Sequence, residues 1–184
     1  MRIIGGKDRS RLLQTPAGIR TRPTSERVRE SIFDILGPRV QGAGVLDLFC
    51  GSGAMALEAL SRGAASAVLA DRDPQAIRAA RTNIASLGYG TMAQTVCADW
   101  RRALRTLAAL GNVFDLIFLD PPYHMADSNA ITAELAAHDL LAAHAAIINE
   151  HDKRCPPDYN EVFMLADRRI YGNTGVSFYY QREE

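Results

Sequence analysis

The sequence predicts an α/β fold: a mostly parallel seven-stranded sheet covered by helices, an antiparallel C-terminal hairpin, and a small N-terminal β-hairpin with a helix. Three observations carry that expectation. From about residue 44, short apolar runs alternate with longer amphipathic segments, the pattern of strand–helix units winding into a parallel sheet. Four successive strand segments end in an acid, at Asp47, Asp71, Asp99 and Asp120. The chain has 184 residues and is 47% hydrophobic, enough to bury one sizeable core.

The elements follow in order. "RIIGG" and "RLLQTP", separated by "KDRS", read as two short strands. In "RTRPTSERVRESIFDIL", Pro23 favours an extended Arg22, while Thr24 or Ser25 can cap the helix that follows. Val28, Ile32, Ile35 and Leu36 share a face, and Gly37-Pro38 ends the helix. Next come "GVLDLFC" (strand), "GAMALEALSRG" (helix), "SAVLAD" (strand) and "PQAIRAARTNIASLG" (helix). "TMAQTVCADW" (strand), "RRALRTLAALG" (helix), "FDLIFLD" (strand), "NAITAELAAHDLL" (helix) and "AAIINEH" (strand) continue the alternation. "EVFMLADRRIYG" and "GVSFYYQ" form the closing hairpin around "GNTG". Residues 1–42 are expected as a basic extension and 43–184 as the main domain.

Composition narrows the function. No apolar run is long enough to span a bilayer, and "MRIIGGKDRSR" lacks a signal-peptide core. Three cysteines without metal-like spacing suggest reduced thiols, a cytoplasmic protein and no bound metal. Net charge is zero, but residues 1–40 carry nine Lys or Arg against four acids, a surplus of +5. The rest, with 12 against 17, balances it. A basic arm bearing Arg9 and Arg11 on an acidic body points to a polyanionic partner such as nucleic acid.

In a doubly wound sheet, ligands bind beyond the carboxyl ends of the strands. The first end reads "LDLFCGSGAMA", where Gly51 and Gly53 permit a tight turn and close approach of backbone to ligand. Gly51-x-Gly53-x-x-Ala56 also matches a relaxed dinucleotide fingerprint. Asp47, four residues before Gly51, suits a cationic ligand better than a pyrophosphate. Asp71 is placed to accept from ribose hydroxyls; Asp99 can accept from an adenine amino group, with Trp100 beside the purine. Acids at the ends of four successive strands, Asp47, Asp71, Asp99 and Asp120, together describe a pocket for S-adenosylmethionine, with Phe49 expected among the cofactor contacts.

The fourth strand delivers "DPPY". An amine conjugated to a ring is a poor nucleophile, and it needs orienting acceptors. The Asp120 carboxylate and the carbonyl between Pro121 and Pro122 can supply them, while Tyr123 can stack on the base. These residues indicate only a site suited to a conjugated amine.

"DLFCGSG" followed by "DPPY" resembles the methyltransferases that modify exocyclic nitrogens of nucleic acid bases. With "RIIGGK", "RTRPTSERVRESIFDIL", "EHDK" and "YGNTGVSFY", the chain resembles, nearly end to end, the bacterial 16S rRNA guanine-N2 methyltransferases of the RsmD type. The resemblance implies a Rossmann-like class I methyltransferase fold and cofactor contacts at the residues named above. It also implies guanine N2 as the target, in an assembled or partly assembled 30S subunit, and an RNA-facing cleft bordered by Arg22, Pro23, Thr24 and Arg29. A monomer is expected. Three alternatives stay open: a DNA adenine N6-methyltransferase, an NAD-dependent oxidoreductase supported by the glycine string, and a non-catalytic RNA-binding assembly factor. Glu150-His151-Asp152 reads as a structural strand end, and Cys50 as a small buried residue.

Overall fold

The computed structural model describes residues 1–15, 25–121, 128–157 and 163–181. Seven strands form one sheet: β1 (Gly44–Asp47), β2 (Ser66–Asp71), β3 (Ala93–Cys97), β4 (Phe114–Leu119), β5 (Leu141–Asp152), β6 (Phe163–Tyr171) and β7 (Thr174–Gln181). Helices α1 (Glu26–Leu36), α2 (Ala54–Ser61), α3 (Pro74–Leu87), α4 (Trp100–Ala109) and α5 (Ser128–Ala137), with a short 3-10 turn at Gly37–Val40, complete the described elements. The strand order is β3-β2-β1-β4-β5-β7-β6. Strands β1 to β5 pair in parallel, whereas β7 runs antiparallel to both β5 and β6. The chain winds outward from β1 to β3, then restarts on the other side at β4. The strand order therefore reverses between β1 and β4, where an open α/β sheet presents its ligand crevice.

The pleat sorts the core into two layers. Val45, Leu69, Leu116, Phe118 and Ile148 pack with apolar residues of α1, α2 and α3. Leu46, Val68, Ile117, Leu119 and Ile147 pack on the other face with α4 and α5. Helix α1 forms as its sequence implies: Ser25 caps it by accepting from the Val28 amide (3.3 Å), and Gly37, at φ 50°, turns the chain out.

Several boundaries differ from expectation; β1, expected through Cys50, stops at Asp47. Strand β5 begins at Leu141, four residues before the predicted "AAIINEH", because Asp139 (φ 53°) ends α5's turn early and Leu141 pairs with Phe114. His144, at φ 64°, lies where the β4–β5 register shifts. Strand β3 stops at Cys97, and Asp99 and Trp100 belong to the cap and first turn of α4.

The N-terminal hairpin is reduced to one antiparallel bridge, Arg2 with Leu12, supported by Ile3 N–H to Arg11 O (2.9 Å) and Leu13 N–H to Met1 O (2.9 Å). It lies along α2. Its turn grips the helix's C-terminal end: Gly5 O accepts from Ser61 Oγ (2.7 Å), and the Lys7 amide donates to Ser61 O (2.9 Å). The fully buried Glu58 accepts from the amides of Ile4 (2.8 Å) and Gly5 (2.7 Å) and from Arg62 Nε (2.8 Å). Gly6 (φ 75°) must be glycine here, since a Cβ would fall 1.9 Å from Ser61 O.

Candidate active site and cofactor loop

Beyond β1 the chain turns into α2 through Gly51-Ser52-Gly53, and the two glycines serve different ends. At Gly51 (φ 53°) a Cβ would meet none of the described residues within 4 Å, which leaves room among them for a ligand to approach its backbone. Gly53 (φ 84°) lets α2 pack close, since a Cβ there would meet Leu69 Cδ2 at 2.5 Å. Asp71, at the end of β2, accepts from the Gly51 amide (2.9 Å) and from Asp73 N–H (2.9 Å), which holds the loop to the neighbouring strand end.

Asp47 is buried at the last position of β1 and accepts from Ala56 N–H in the first turn of α2 (3.3 Å). Burial pushes its carboxyl up to about 7; the Ala56 amide opposes the shift and repulsion from Asp71 adds to it. Phe49 is half-buried against the α4–α5 side of the core. Asp99 is exposed and caps α4, its Oδ1 accepting from Arg101 N–H (3.1 Å) and Arg102 N–H (3.2 Å). Trp100 is half-buried, with the Arg101 guanidinium 4.1 Å from its ring centroid.

Asp120 follows β4 directly and Pro121 is buried beside it. Asp120 is exposed as a residue, yet protein crowds its carboxyl closely enough that desolvation is the main cause raising its pKa well above the carboxylate range. Repulsion from Glu150 and then Asp47 adds to that shift. The register explains the neighbours. Asp47 pairs with Phe118 and Leu119 with Asn149, so Glu150 comes level with Asp120 on the adjacent parallel strand. Alternation from Val45, Phe118 and Ile148 then turns Asp47, Asp120 and Glu150 toward one face, that of α1, α2 and α3. Three acids thus share the crevice side of the sheet. Glu150's position depends on strand register, which sequence does not display.

The structure places the remaining expected residues as follows. Pro122, Tyr123, Arg22, Pro23 and Thr24 lie outside the described residues. Arg9 is exposed on the hairpin turn; Arg11 is exposed and donates to Ser86 O (2.7 Å) at the end of α3. Arg29, expected at an RNA-facing cleft, is completely buried, pairs with Glu58 (3.5 Å) and donates to the carbonyl of Arg2. A guanidinium without exposed surface does not reach a phosphate, so Arg29 leaves the RNA-facing set and joins the anchor of the hairpin. His151 is buried, bonded to Ser177 Oγ and Asp152 O (2.8 Å each), and burial lowers its pKa.

A family model described as "Conserved hypothetical protein 95" matches residues 1–180. The chain belongs to this family. It is 42% identical over 184 residues to "Ribosomal RNA small subunit methyltransferase D" of Escherichia coli, covering 100% of this chain and 90% of that protein. It is 30% identical over 181 residues to the protein of the same name from Haemophilus influenzae, covering 97% and 93%. The solved Escherichia coli structure titled "Putative methyltransferase yhhF" superposes with a TM-score of 0.89 at 33% identity, covering 100% of this chain and 99% of that one. The mostly parallel sheet with antiparallel β7 is therefore the Rossmann-like methyltransferase fold that the resemblance implied.

Proposed function

We propose that this chain transfers a methyl group from S-adenosylmethionine to the exocyclic N2 amine of a guanine in 16S rRNA, within an assembled or partly assembled 30S subunit. In this reading residues 43–184 form the methyltransferase domain and residues 1–42 a basic, RNA-facing extension of a cytoplasmic monomer. One observation carries it: Asp120 and the glycine loop lie on the crevice side of the strand-order reversal, with Asp47 and Glu150 turned to the same face as Asp120. The relatives' name supplies the ribosomal RNA.

The residues present fit the cofactor. A buried Asp47 with a raised pKa favours a cationic ligand, the open face of Gly51 admits close approach of backbone, and Asp71 has acceptor capacity beyond its two amide bonds. Asp47, Phe49, Gly51, Gly53, Asp71, Asp99 and Trp100 would hold it. When bound, S-adenosylmethionine supplies an electrophilic methyl group. Asp120 accepts hydrogen bonds from the target amine, orients its lone pair and favours the positive charge that develops on nitrogen. The Pro121 carbonyl is the second acceptor, held by a ring that fixes φ, and Tyr123 stacks on the base. Asp120 need not be a strong base, because the methylated amine is acidic once formed. An acidic crevice opposes a pyrophosphate, which disfavours the NAD reading.

The test offers tritiated S-adenosylmethionine to unmethylated 30S particles, naked 16S rRNA and duplex DNA, followed by nucleoside digestion. Label is expected in N2-methylguanosine from 30S particles, reduced by about 10²–10³-fold in Asp120→Asn. Label in DNA adenine would replace the proposal with its DNA-modifying alternative. Cofactor binding without transfer to any substrate would favour the assembly-factor reading.

A further inference from the structure

Asn83 lies on α3, the helix after the second strand, and is 1% exposed. Its side-chain amide is fully engaged across two segments distant in sequence. Oδ1 accepts from the Gln14 backbone amide (2.7 Å), while Nδ2 donates to Gln14 O (2.9 Å) and to Ser52 O (3.0 Å). The amide's orientation follows from its partners, since both carbonyls can only accept and the Gln14 amide can only donate. Ser52 is the middle residue of the glycine loop. Gln14 ends the second limb of the N-terminal hairpin and leads into the stretch containing Arg22 and Thr24.

The loop is thus held on two sides. Asp71 grips the amide of Gly51, and Asn83 grips the carbonyl of the next residue, Ser52. Only the second grip also holds the hairpin. A further contact, Ser52 Oγ with Met1 Sδ at 3.7 Å, places the hairpin's other limb beside the same loop. A buried asparagine costs stability unless its amide is satisfied. Here that satisfaction depends on the hairpin being docked and the loop being in place together.

We propose that Asn83 is a positioning residue that couples the two ligands: RNA holding the N-terminal arm stabilises the glycine loop through Asn83, and cofactor on the loop stabilises the docked arm. The inference rests on the proposed assignments of arm and loop. Undocking the hairpin withdraws both backbone partners at Gln14 and frees the amide from its fixed orientation against Ser52. Either ligand then favours the state in which all three bonds are made. The coupling is reciprocal by thermodynamic necessity.

The experiment is equilibrium dialysis of labelled S-adenosylhomocysteine against the full chain, with and without saturating unmethylated 30S particles. For the native chain, the particles are expected to tighten binding by about 5- to 150-fold, the usual range of such coupling. In Asn83→Ala that factor falls towards one. Gln14→Pro is the second variant: it removes the Gln14 N–H while leaving the Asn83–Ser52 bond, and it lowers the factor too. Thermal unfolding monitors the folding of both. A merely structural role for Asn83 would lower stability and leave the factor at its native value, which overturns the proposal. A native factor of one, with both ligands bound, also overturns it alone. Failure of the native chain to retain S-adenosylhomocysteine or to bind 30S particles overturns the cofactor or RNA reading itself, and the coupling with it.

Discussion

Two groups of charged side chains occupy the same face of the sheet and are built in opposite ways. Around Glu58, each acceptor is matched: two backbone amides and Arg62 donate to it, and Arg29 stands opposite at 3.5 Å. Around Asp120, like faces like. Asp47 accepts from one amide, and desolvation first, then repulsion from neighbouring acids, raises the pKa values of Asp47 and Asp120. The difference teaches where the chain supplies its own counter-charge. It does so where the hairpin docks; in the proposed reading, a cationic cofactor and an amine would bring the counter-charge to Asp47 and Asp120.

Breaking the balanced group should have the largest effect. Glu58→Ala leaves Arg29 buried without its anion, a class of change that costs about 3–5 kcal/mol. Urea unfolding at neutral pH measures it. A loss below about 0.5 kcal/mol, within the range of surface substitutions, would mean that the hairpin simply undocks and gives Arg29 to water.

Relieving the unbalanced group should do the reverse. Asp47 has its folded-state pKa raised from 3.8 to about 7, so between those values the folded chain keeps a proton that the unfolded chain has released. Stability is then fully present below the lower value and declines as pH rises through the upper one. Asp47→Asn removes that titration and can keep the bond from Ala56. Expected is a gain of roughly 1–4 kcal/mol at pH 8 with little change at pH 4, alongside weaker cofactor binding. Denaturant titrations at the two pH values check it. An equal gain at both would trace the effect to packing.

Strand–helix alternation made the fold readable, because period and punctuation are local. The glycine loop, Asp47, Asp71 and Asp120 were legible for the same reason: each closes a strand. Partnership across the sheet was not. Arg29 looks like one more arginine of a basic arm, although its place beside Phe33 and Ile32 on the helical wheel marks the buried side. Asn83 carries the same signal, a polar residue within the apolar stripe of Ala76, Ala80 and Leu87. Glu58 and Glu150 carry none that decides. What each meets depends on how the hairpin docks and on the β4–β5 register, and both are tertiary facts.

The smallest expected effect discriminates most finely within the acidic group. Glu150→Gln keeps the shape of the side chain level with Asp120 and removes its charge. Desolvation remains the leading cause of Asp120's raised pKa, so the shift shrinks but does not vanish. Asp120 accepts from an amine best when ionised. The acidic limb of the pH profile for kcat/KM should therefore move to lower pH, while the plateau stays near the native value. Because two interacting carboxyls titrate together, the limb reports the pair, and the variant converts it towards a single ionisation. An unmoved limb would mean that Glu150 does not act electrostatically on the site. A lowered plateau would mean that Glu150 itself touches the base.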